Sequence, residues 1–265
     1  FTRRKLRRIF NNSSFEQGGR FYHGWWQEIS SSYRKYITIN GKRTEEEDFG
    51  GIHVRMLYAL EGIELGSEDT HIIEGYGSEY REQVKRAIYI IINAETRDKA
   101  IYAINSKLTL PINETAQDLF NQLELKHPKI AKYFATGKGI ELQYIDSQIA
   151  EKVMLRLARD NIVALPVHDS FIVRMSHIND LKEEMYKAYK EVVKTGTIID
   201  KKDSIRQELE EQELQRPLVK DQINYKGLRE PITGNELIKR TQEGINNYTQ
   251  YNKRRDEWRV SRGYF

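Results

Sequence analysis

Two apolar, β-rich runs that meet at a polar dipeptide constrain the fold more than any other feature of the sequence. Residues 162–167 and 170–175 are dominated by Val, Ile, Leu, Phe and Met, and His168-Asp169 lies between them. Two such runs separated by two turn residues predict an antiparallel β-hairpin. The chain therefore has to place at least one antiparallel strand pair in its core.

Strand and helix signals alternate in a definite order before this hairpin. Residues 33–39 alternate between apolar and polar side chains, and Asn40-Gly41 is a strong hairpin turn signal. Apolar residues then recur at helical spacing in four segments before the hairpin and one after it, namely 52–63, 78–104, 113–136, 141–160 and 178–194. This order predicts an α+β domain built on an antiparallel sheet.

Composition excludes several classes of function. The chain of 265 residues has no cysteine, which removes disulfides, thiolate metal sites and cysteine nucleophiles. No apolar run approaches the roughly 20 residues of a membrane span, so no membrane partner is expected. Residues 1–43 contain ten Lys or Arg and two Glu, although the whole chain carries only +4. A basic segment indicates a polyanionic partner such as nucleic acid, with a solvated tail as the alternative.

The same composition divides the chain into three regions. Residues 1–17 are basic and then polar, and they are predicted to form an N-terminal arm. Residues 18–194 contain the strand and helix patterns and are predicted to form the folded domain. Residues 195–265 contain 14 Lys or Arg and 12 Asp or Glu with few apolar residues, which predicts a charged helical or extended C-terminal region.

Two aspartates lie at predicted strand ends. Asp48 precedes a Phe-Gly-Gly turn into a helix, and Asp169 lies at the tip of the predicted hairpin. If the two strands are neighbours, both carboxylates reach the same edge of the sheet, where a carboxylate pair can hold two Mg²⁺ ions roughly 3.5–4 Å apart. The alternatives are a helix N-cap for Asp48 and, for Asp169, a turn residue that hydrogen-bonds its own backbone.

A third element is a helix face that carries Arg81, Lys85 and Tyr89. These residues are four apart, so they share one side of the predicted helix. Two cations and an aromatic ring suit a nucleoside triphosphate, because the cations meet phosphate oxygens and the ring stacks on a base. The alternative is an ordinary solvated helix face.

Together these segments resemble motifs A, B and C of the family A DNA polymerases and their single-subunit RNA polymerase relatives. Asp48-Phe-Gly-Gly-Ile-His-Val-Arg55 is similar to motif A, D-Y-S-Q-I-E-L-R, and Arg81-Glu-Gln-Val-Lys85-Arg-Ala-Ile-Tyr89 fits motif B, R-x-x-x-K-x-x-x-F/Y. Motif C is H-D-E in the DNA enzymes and H-D-S in the RNA enzymes, and here it is His168-Asp169-Ser170. Two weaker matches, Gly19-Arg20-Phe21 and Gln143, complete the family's order over residues 18–176.

The resemblance implies a polymerase palm with an antiparallel sheet and reduced helical fingers. Within these 265 residues we expect neither a full thumb nor an exonuclease domain, and therefore weak duplex binding with a helper protein in place of the thumb. The implied partners are a primer–template and dNTPs, with rNTPs also possible, and the implied setting is cytoplasmic, in a phage, plasmid or other mobile element.

The resemblance also implies a role for each matching residue. The metal ligands for two Mg²⁺ ions, or Mn²⁺, would be Asp48, Asp169 and the Phe49 carbonyl. The nucleotide site would comprise Arg81, Lys85, Tyr89, His53 and Phe49, with Lys85 also protonating the leaving pyrophosphate. The contacts to primer–template would come from Arg20, Gln143 and His168.

Three departures from the family pattern bear on function. His53 stands where the DNA polymerases have the glutamate that excludes a ribose 2′-hydroxyl, and Ser170 replaces the second acidic residue of motif C. After Tyr89, Ile90-Ile-Ile-Asn-Ala lacks the glycine and second tyrosine that manage the template base. We therefore expect a template-directed polymerase that favours DNA. The alternatives are a template-independent terminal transferase or primase-like enzyme, and a non-catalytic nucleic-acid-binding subunit.

Overall fold

A computed structural model describes residues 3–66, 68–111, 114–194 and 199–201, and short helical stretches within 246–261. The chain divides into two units, residues 1–202 and 203–265. In the first unit the strands are β1 Arg7–Phe10, β2 Gly18–Tyr22, β3 Thr38–Ile39, β4 Lys42–Phe49, β5 Leu165–Val167, β6 Ser170–Arg174 and β7 Ile199–Lys201. The helices are α1 Trp25–Glu28, α2 Ser31–Arg34, α3 Ile52–Leu60, α4 Arg81–Asn93, α5 Arg97–Lys107, α6 Ala116–Lys126, α7 Gly139–Arg159 and α8 Ile178–Val193.

The central sheet has the strand order β3-β4-β6-β5, and its pairings are antiparallel. β7 pairs with residues 47–49 at the C-terminal end of β4, also antiparallel. Both predicted hairpins are present, but the strand predicted over residues 33–39 is wrong in its first half, because Ser31–Arg34 forms helix α2 and β3 covers only Thr38–Ile39. β3 and β4 are joined by Asn40-Gly41, whose φ angles of 54° and 70° are the left-handed values that this tight turn requires. β5 and β6 are joined by His168-Asp169. The predicted α+β class with an antiparallel sheet is confirmed.

A second, two-stranded sheet forms from β1 and β2, so β1 lies within the segment that the sequence predicts as a basic arm. Arg8 connects this hairpin to α7. Its guanidinium donates to the Gly19 carbonyl at 2.8 Å and to Ser147 Oγ at 2.7 Å, and it pairs with Glu151 at 3.0 Å. Part of the basic segment is therefore neutralised inside the fold.

The hydrophobic core lies between the sheet and the long helices. It includes, from α3, α4, α6, α7 and α8, the fully buried side chains Leu57, Ile91, Leu123, Val153 and Tyr189. Strand β6 contributes Phe171 and Val173 from its buried face. Across the described residues, none of the helices is long and apolar enough to cross a membrane.

The predicted helix over 78–104 is wrong in one respect, because the structure divides it into α4 and α5. Ala94 has an extended backbone, and the Thr96 side chain then accepts a hydrogen bond from the Lys99 backbone N–H as the N-cap of α5. The buried positions resume only at Ala100 and Ile104, and the polar run over residues 95–99 interrupts the apolar spacing at the break. A local cap decides where the helix restarts.

The predicted charged C-terminal region lies mostly outside the described residues. Within it, residues 199–201 form β7, and in the second unit residues 253–258 are helical. Lys253 and Glu257 are one helical turn apart there and lie 4.0 Å from each other.

Candidate active site

The two aspartates predicted as metal ligands lie at the same end of neighbouring strands. Asp48 is the penultimate residue of β4 and pairs with Ser170, the first residue of β6. Asp169 directly precedes Ser170 at the hairpin tip. Opposed residues of antiparallel strands have Cα atoms about 4.5–5.5 Å apart, so this register brings the two aspartates close together.

The turn after Asp48 is fixed by a glycine. Gly51 has a φ of 60° and is the N-cap of α3, so the interpretation of Asp48 as that N-cap is wrong. A Cβ at Gly51 would lie 2.7 Å from Thr70 Oγ1, and there is no room for it. Arg55 holds the turn from the other side by donating to the Gly50 carbonyl at 2.7 Å. The chain therefore leaves β4 in one direction. We call the sheet end that carries Asp48 and Asp169 the rim.

The tip of the β5–β6 hairpin is held to β4 by Ser170. Its hydroxyl donates to Glu46 Oε1 at 2.6 Å, and Arg34 pairs with the same carboxylate at 2.9 Å. His168, in the turn itself, has a φ of 59° and packs edge-on against the Tyr22 ring at 5.5 Å. Ser170 thus has a structural partner that keeps Asp169 beside Asp48.

Sequence reasoning missed a buried ion pair directly behind this rim. Arg20 of β2 donates through Nε to Asp146 of α7 at 3.0 Å, and a second guanidinium nitrogen also contacts that carboxylate. His53 Nε2 lies 2.9 Å from Asp146 Oδ2 and 3.2 Å from Arg20. Since a guanidinium only donates, we assign the Nε2 hydrogen to the bond with Asp146.

The ionisation of this cluster follows from its charges. Burial opposes the charged form of Asp146, but the hydrogen bond from His53 and the charge of Arg20 outweigh it and lower the pKa of Asp146. Burial likewise opposes the charged form of Arg20, and the carboxylate of Asp146 outweighs it and raises the pKa of Arg20. The ion pair is therefore fully charged although it is buried.

This ion pair connects the predicted site residues. The Asp169 carboxylate contributes to the raised pKa of Arg20, which places Arg20 within electrostatic reach of the hairpin tip. The His53 ring stacks on Tyr89 of α4, with centroids 6.3 Å apart and planes at 15°. Burial, together with the charge of Arg20, lowers the pKa of His168. Arg20, His53, Tyr89, His168 and Asp169 thus belong to one neighbourhood.

The predicted nucleotide-binding face is the outer face of α4. Val84 and Ala87 are buried, whereas Lys85 is exposed and Tyr89 is 49 % exposed. Arg81 is not fully available for phosphate, because its Nε donates to Asp69 Oδ2 at 2.6 Å and a second nitrogen to Glu82 at 3.1 Å. No sequence pattern indicates the bond to Asp69, which lies in a loop twelve residues earlier.

Gln143 lies on α7 one turn before Asp146 and donates to Asn93 Oδ1 at 3.3 Å, at the end of α4. The signal that would have revealed Asp146 is its helix face. Leu142, Ile149 and Val153 are buried on that face, and a carboxylate among such residues requires a cationic partner. The buried helix face can be read from the sequence, whereas the pairing of Asp146 with Arg20 cannot.

A histidine beside the nucleotide-binding face gives a prediction on stability. His71 is buried, which lowers its pKa to about 4, while Asp69 opposes this shift and Arg81 and Lys85 add to it. The folded state holds His71 neutral, whereas the unfolded chain protonates it below about 6.5. Stability should therefore fall as the pH drops from about 6.5 to about 4, by roughly 2–3 kcal/mol from this residue. Urea unfolding at pH 7 and pH 4.5 should show a smaller decrease in the free energy of unfolding for His71→Gln than for the wild type.

The donor set at the rim fits a magnesium site completed by substrate. Within the described ranges no group of three or more His, Asp or Glu side chains is arranged to hold a metal ion. Asp48 and Asp169 supply two carboxylates at one sheet end, and the Phe49 carbonyl follows directly. Magnesium commonly binds one or two carboxylates together with substrate phosphates, which is the arrangement that this rim offers.

Comparison with known proteins adds a remote similarity. No family model matches the chain, and no curated protein matches it. Among solved structures, it is similar to the POL domain of Pol1 from M. smegmatis, whose structure is a complex with DNA primer-template and dNTP. The identity is 11 % and the TM-score 0.48, over 72 % of this chain and 46 % of that one. This chain therefore spans less than half of the length of that neighbour.

Proposed function

We propose that this chain is a metal-dependent nucleotidyltransferase that extends a primer 3′-hydroxyl on a template and releases pyrophosphate, with DNA favoured. The observation that carries the proposal is the β4–β6 register, in which Asp48 pairs with Ser170 and so lies beside Asp169. The rim also neighbours the cationic, aromatic face of α4 through the His53–Tyr89 stack. The motifs that resemble family A polymerases agree with this reading.

The substrate would lie between the rim and α4. Asp48, Asp169 and the Phe49 carbonyl would hold Mg²⁺, which when bound lowers the pKa of the 3′-hydroxyl and neutralises charge on the triphosphate. Lys85 would bind the β- and γ-phosphates, joined by Arg81 once phosphate replaces Asp69 as its partner. Tyr89 would stack against the nucleotide, with its orientation fixed by His53.

The reaction is an in-line displacement at the α-phosphorus. The primer 3′-hydroxyl gives its proton to solvent water, its oxygen forms the new bond to the α-phosphorus, the bond to the bridging oxygen breaks, and pyrophosphate leaves with the electron pair. Lys85 would donate a proton to that leaving oxygen. Arg20, charged and fixed by Asp146, would hold the primer–template end together with His168 and Gln143. Such catalysis depends mainly on positioning and electrostatic stabilisation.

The primary test is primer extension with the full chain, Mg²⁺ and a labelled primer, with and without template, offering dNTPs or rNTPs. Products that follow the template sequence would support the proposal, and the nucleotide used would define the sugar preference. Absence of extension with either metal, Mg²⁺ or Mn²⁺, while nucleic acid still binds, would favour a non-catalytic binding subunit instead.

A template-independent terminal transferase is the second candidate. Helix α4 ends at Asn93, only four residues after Tyr89, and the chain turns away into α5. The segment that manages the template base in the polymerases that the chain resembles therefore has no helical counterpart here. Tails of arbitrary sequence, formed equally well without template, would identify this activity.

The nucleotide-binding face is tested by Lys85→Ala, with Arg86→Ala as a matched control. Both side chains are exposed cations on α4, but Arg86 is about 100° further around the helix. A charge-assisted contact to phosphate contributes about 1.5–3 kcal/mol, so kcat/KM for the nucleotide should fall about ten- to hundredfold in Lys85→Ala. Arg86→Ala should stay within about twofold. Equal losses in steady-state assays would contradict the assignment of Lys85.

A further inference from the structure

Two neighbouring tyrosines are exposed just before strand β3. Tyr33 of α2 is 65 % exposed and Tyr36 is 64 % exposed, and the Tyr36 backbone N–H donates to the Tyr33 carbonyl at 3.0 Å. A single exposed aromatic side chain is ordinary, whereas adjacent large rings in solvent more often mark a contact surface.

One cation contacts a ring of this pair, and two more lie on the neighbouring strand. Lys35 Nζ lies 5.0 Å from the centroid of the Tyr36 ring. The β3–β4 register places Arg43 and Lys42 opposite residues 38 and 39, two and three positions after Tyr36. We name Tyr33, Lys35, Tyr36, Lys42 and Arg43 the tyrosine patch.

The charge of residues 29–44 has one sign. They contain four Lys or Arg and no Asp or Glu, and Glu28 and Glu45 flank them. Of the four cations, Arg34 is buried and paired with Glu46, whereas Lys42 is exposed and Lys35 is half-buried. These cations favour an anionic partner.

The tyrosine patch contains none of the residues of the proposed metal site. Lys42 and Asp48 lie at opposite ends of β4, six residues apart, which corresponds to about 20 Å at roughly 3.3–3.4 Å per residue. The tyrosines lie nearer to the middle of β4, because β3 runs antiparallel to it and Arg34, next to Tyr33, pairs with Glu46. The patch therefore extends from the start of β4 towards its middle.

We propose that the tyrosine patch binds a single-stranded stretch of nucleic acid, with bases stacked on Tyr33 and Tyr36 and phosphates beside Lys35, Lys42 and Arg43. Unpaired bases present the flat faces that aromatic side chains stack against, and their backbone supplies the negative charge. A duplex hides those faces, and an acidic peptide has the charge without them. The inference goes beyond the proposed function, because this binding needs neither Asp48 nor Asp169.

The test measures binding of a fluorescent twelve-nucleotide oligothymidine to the full chain by anisotropy, without metal or dNTP. The double variant Tyr33→Ala/Tyr36→Ala should bind at least about tenfold more weakly, since stacking of each base contributes about 1–3 kcal/mol. Tyr33→Phe/Tyr36→Phe keeps both rings and should retain the affinity. Tyr102→Ala, which removes a 76 % exposed tyrosine from α5, should also leave it unchanged.

A salt titration tests the cations. Lys42→Ala should reduce the slope of log K against log salt by about 0.7, the value for one phosphate contact on a single strand. Lys107→Ala, an exposed lysine at the end of α5, should leave the slope unchanged. Full affinity in the double tyrosine alanine variant would overturn the proposal. So would poly-glutamate displacing the oligonucleotide as effectively as unlabelled oligothymidine. Asp169→Asn should bind normally here, so a failure of this proposal and a failure of the proposed catalysis are distinguishable.

Discussion

Asp169→Asn is expected to reduce primer extension by at least about 10³-fold while the protein still binds primer–template. The substitution keeps the size of the side chain and removes its negative charge at the hairpin tip. Loss of one electrostatic group in a preorganised site costs about 10²–10³-fold, and loss of a metal-binding carboxylate should be at the upper end or beyond. Steady-state extension assays and gel-shift binding would measure the two effects separately.

Asp160→Asn is the matched control for this experiment. Asp160 is an exposed aspartate just after α7, and its substitution should leave extension within about twofold. Asp48→Asn should reproduce the loss seen in Asp169→Asn, because both carboxylates would hold the same metal site. Near-normal extension in either variant would show that the assignment of the metal ligands is wrong.

The sheet could be predicted because its signals are local. The apolar runs around His168-Asp169 and the Asn40-Gly41 turn each define a strand pair over fewer than fifteen residues. The division of α4 from α5 was missed although the polar run over residues 95–99 interrupts the apolar spacing, and the N-cap at Thr96 decides where the helix restarts. Strand β1 was missed because it begins with basic residues, and its pairing partners in β2 lie eight to fifteen residues further along the chain.

The candidate site was predictable where residue type and sequence order suffice. Asp48 and Asp169 stand out because each is a carboxylate at a strand end. The partners of site residues were not predictable, because they depend on distant contacts. Arg20 meets Asp146 across 126 residues of sequence, and Arg81 pairs with Asp69 across a loop. No local pattern specifies such pairs, although they decide which cations remain available for phosphate.

The second large effect concerns the buried ion pair. Asp146→Ala is expected to lower the free energy of unfolding by about 3–5 kcal/mol, because it leaves the charge of Arg20 buried and uncompensated. The Asp146 side chain is 1 % exposed and that of Arg20 is 10 % exposed, so water cannot readily replace the lost partner. Urea denaturation followed by circular dichroism would measure the change. Asp118→Ala on the exposed surface of α6 is the control. It should lower the free energy of unfolding by only about 1 kcal/mol, because it removes just the capping hydrogen bonds with Thr115.

A double variant separates the charge effect from simple loss of packing. In Arg20→Met/Asp146→Leu both charges are gone, so stability should recover most of what Asp146→Ala loses.

The pH dependence of stability supplies an independent check. Since the folded pKa of Asp146 is lowered, its contribution is present above the unfolded pKa of about 3.9 and is lost as the pH falls through the folded value. The part of the difference between wild type and the double variant that comes from Asp146 should therefore be constant above about pH 5 and shrink only in stronger acid. If the double variant is as unstable as Asp146→Ala, packing rather than charge holds β2 to α7. If instead it is stable but inactive in primer extension, the fixed charge of Arg20 serves the reaction and not the fold.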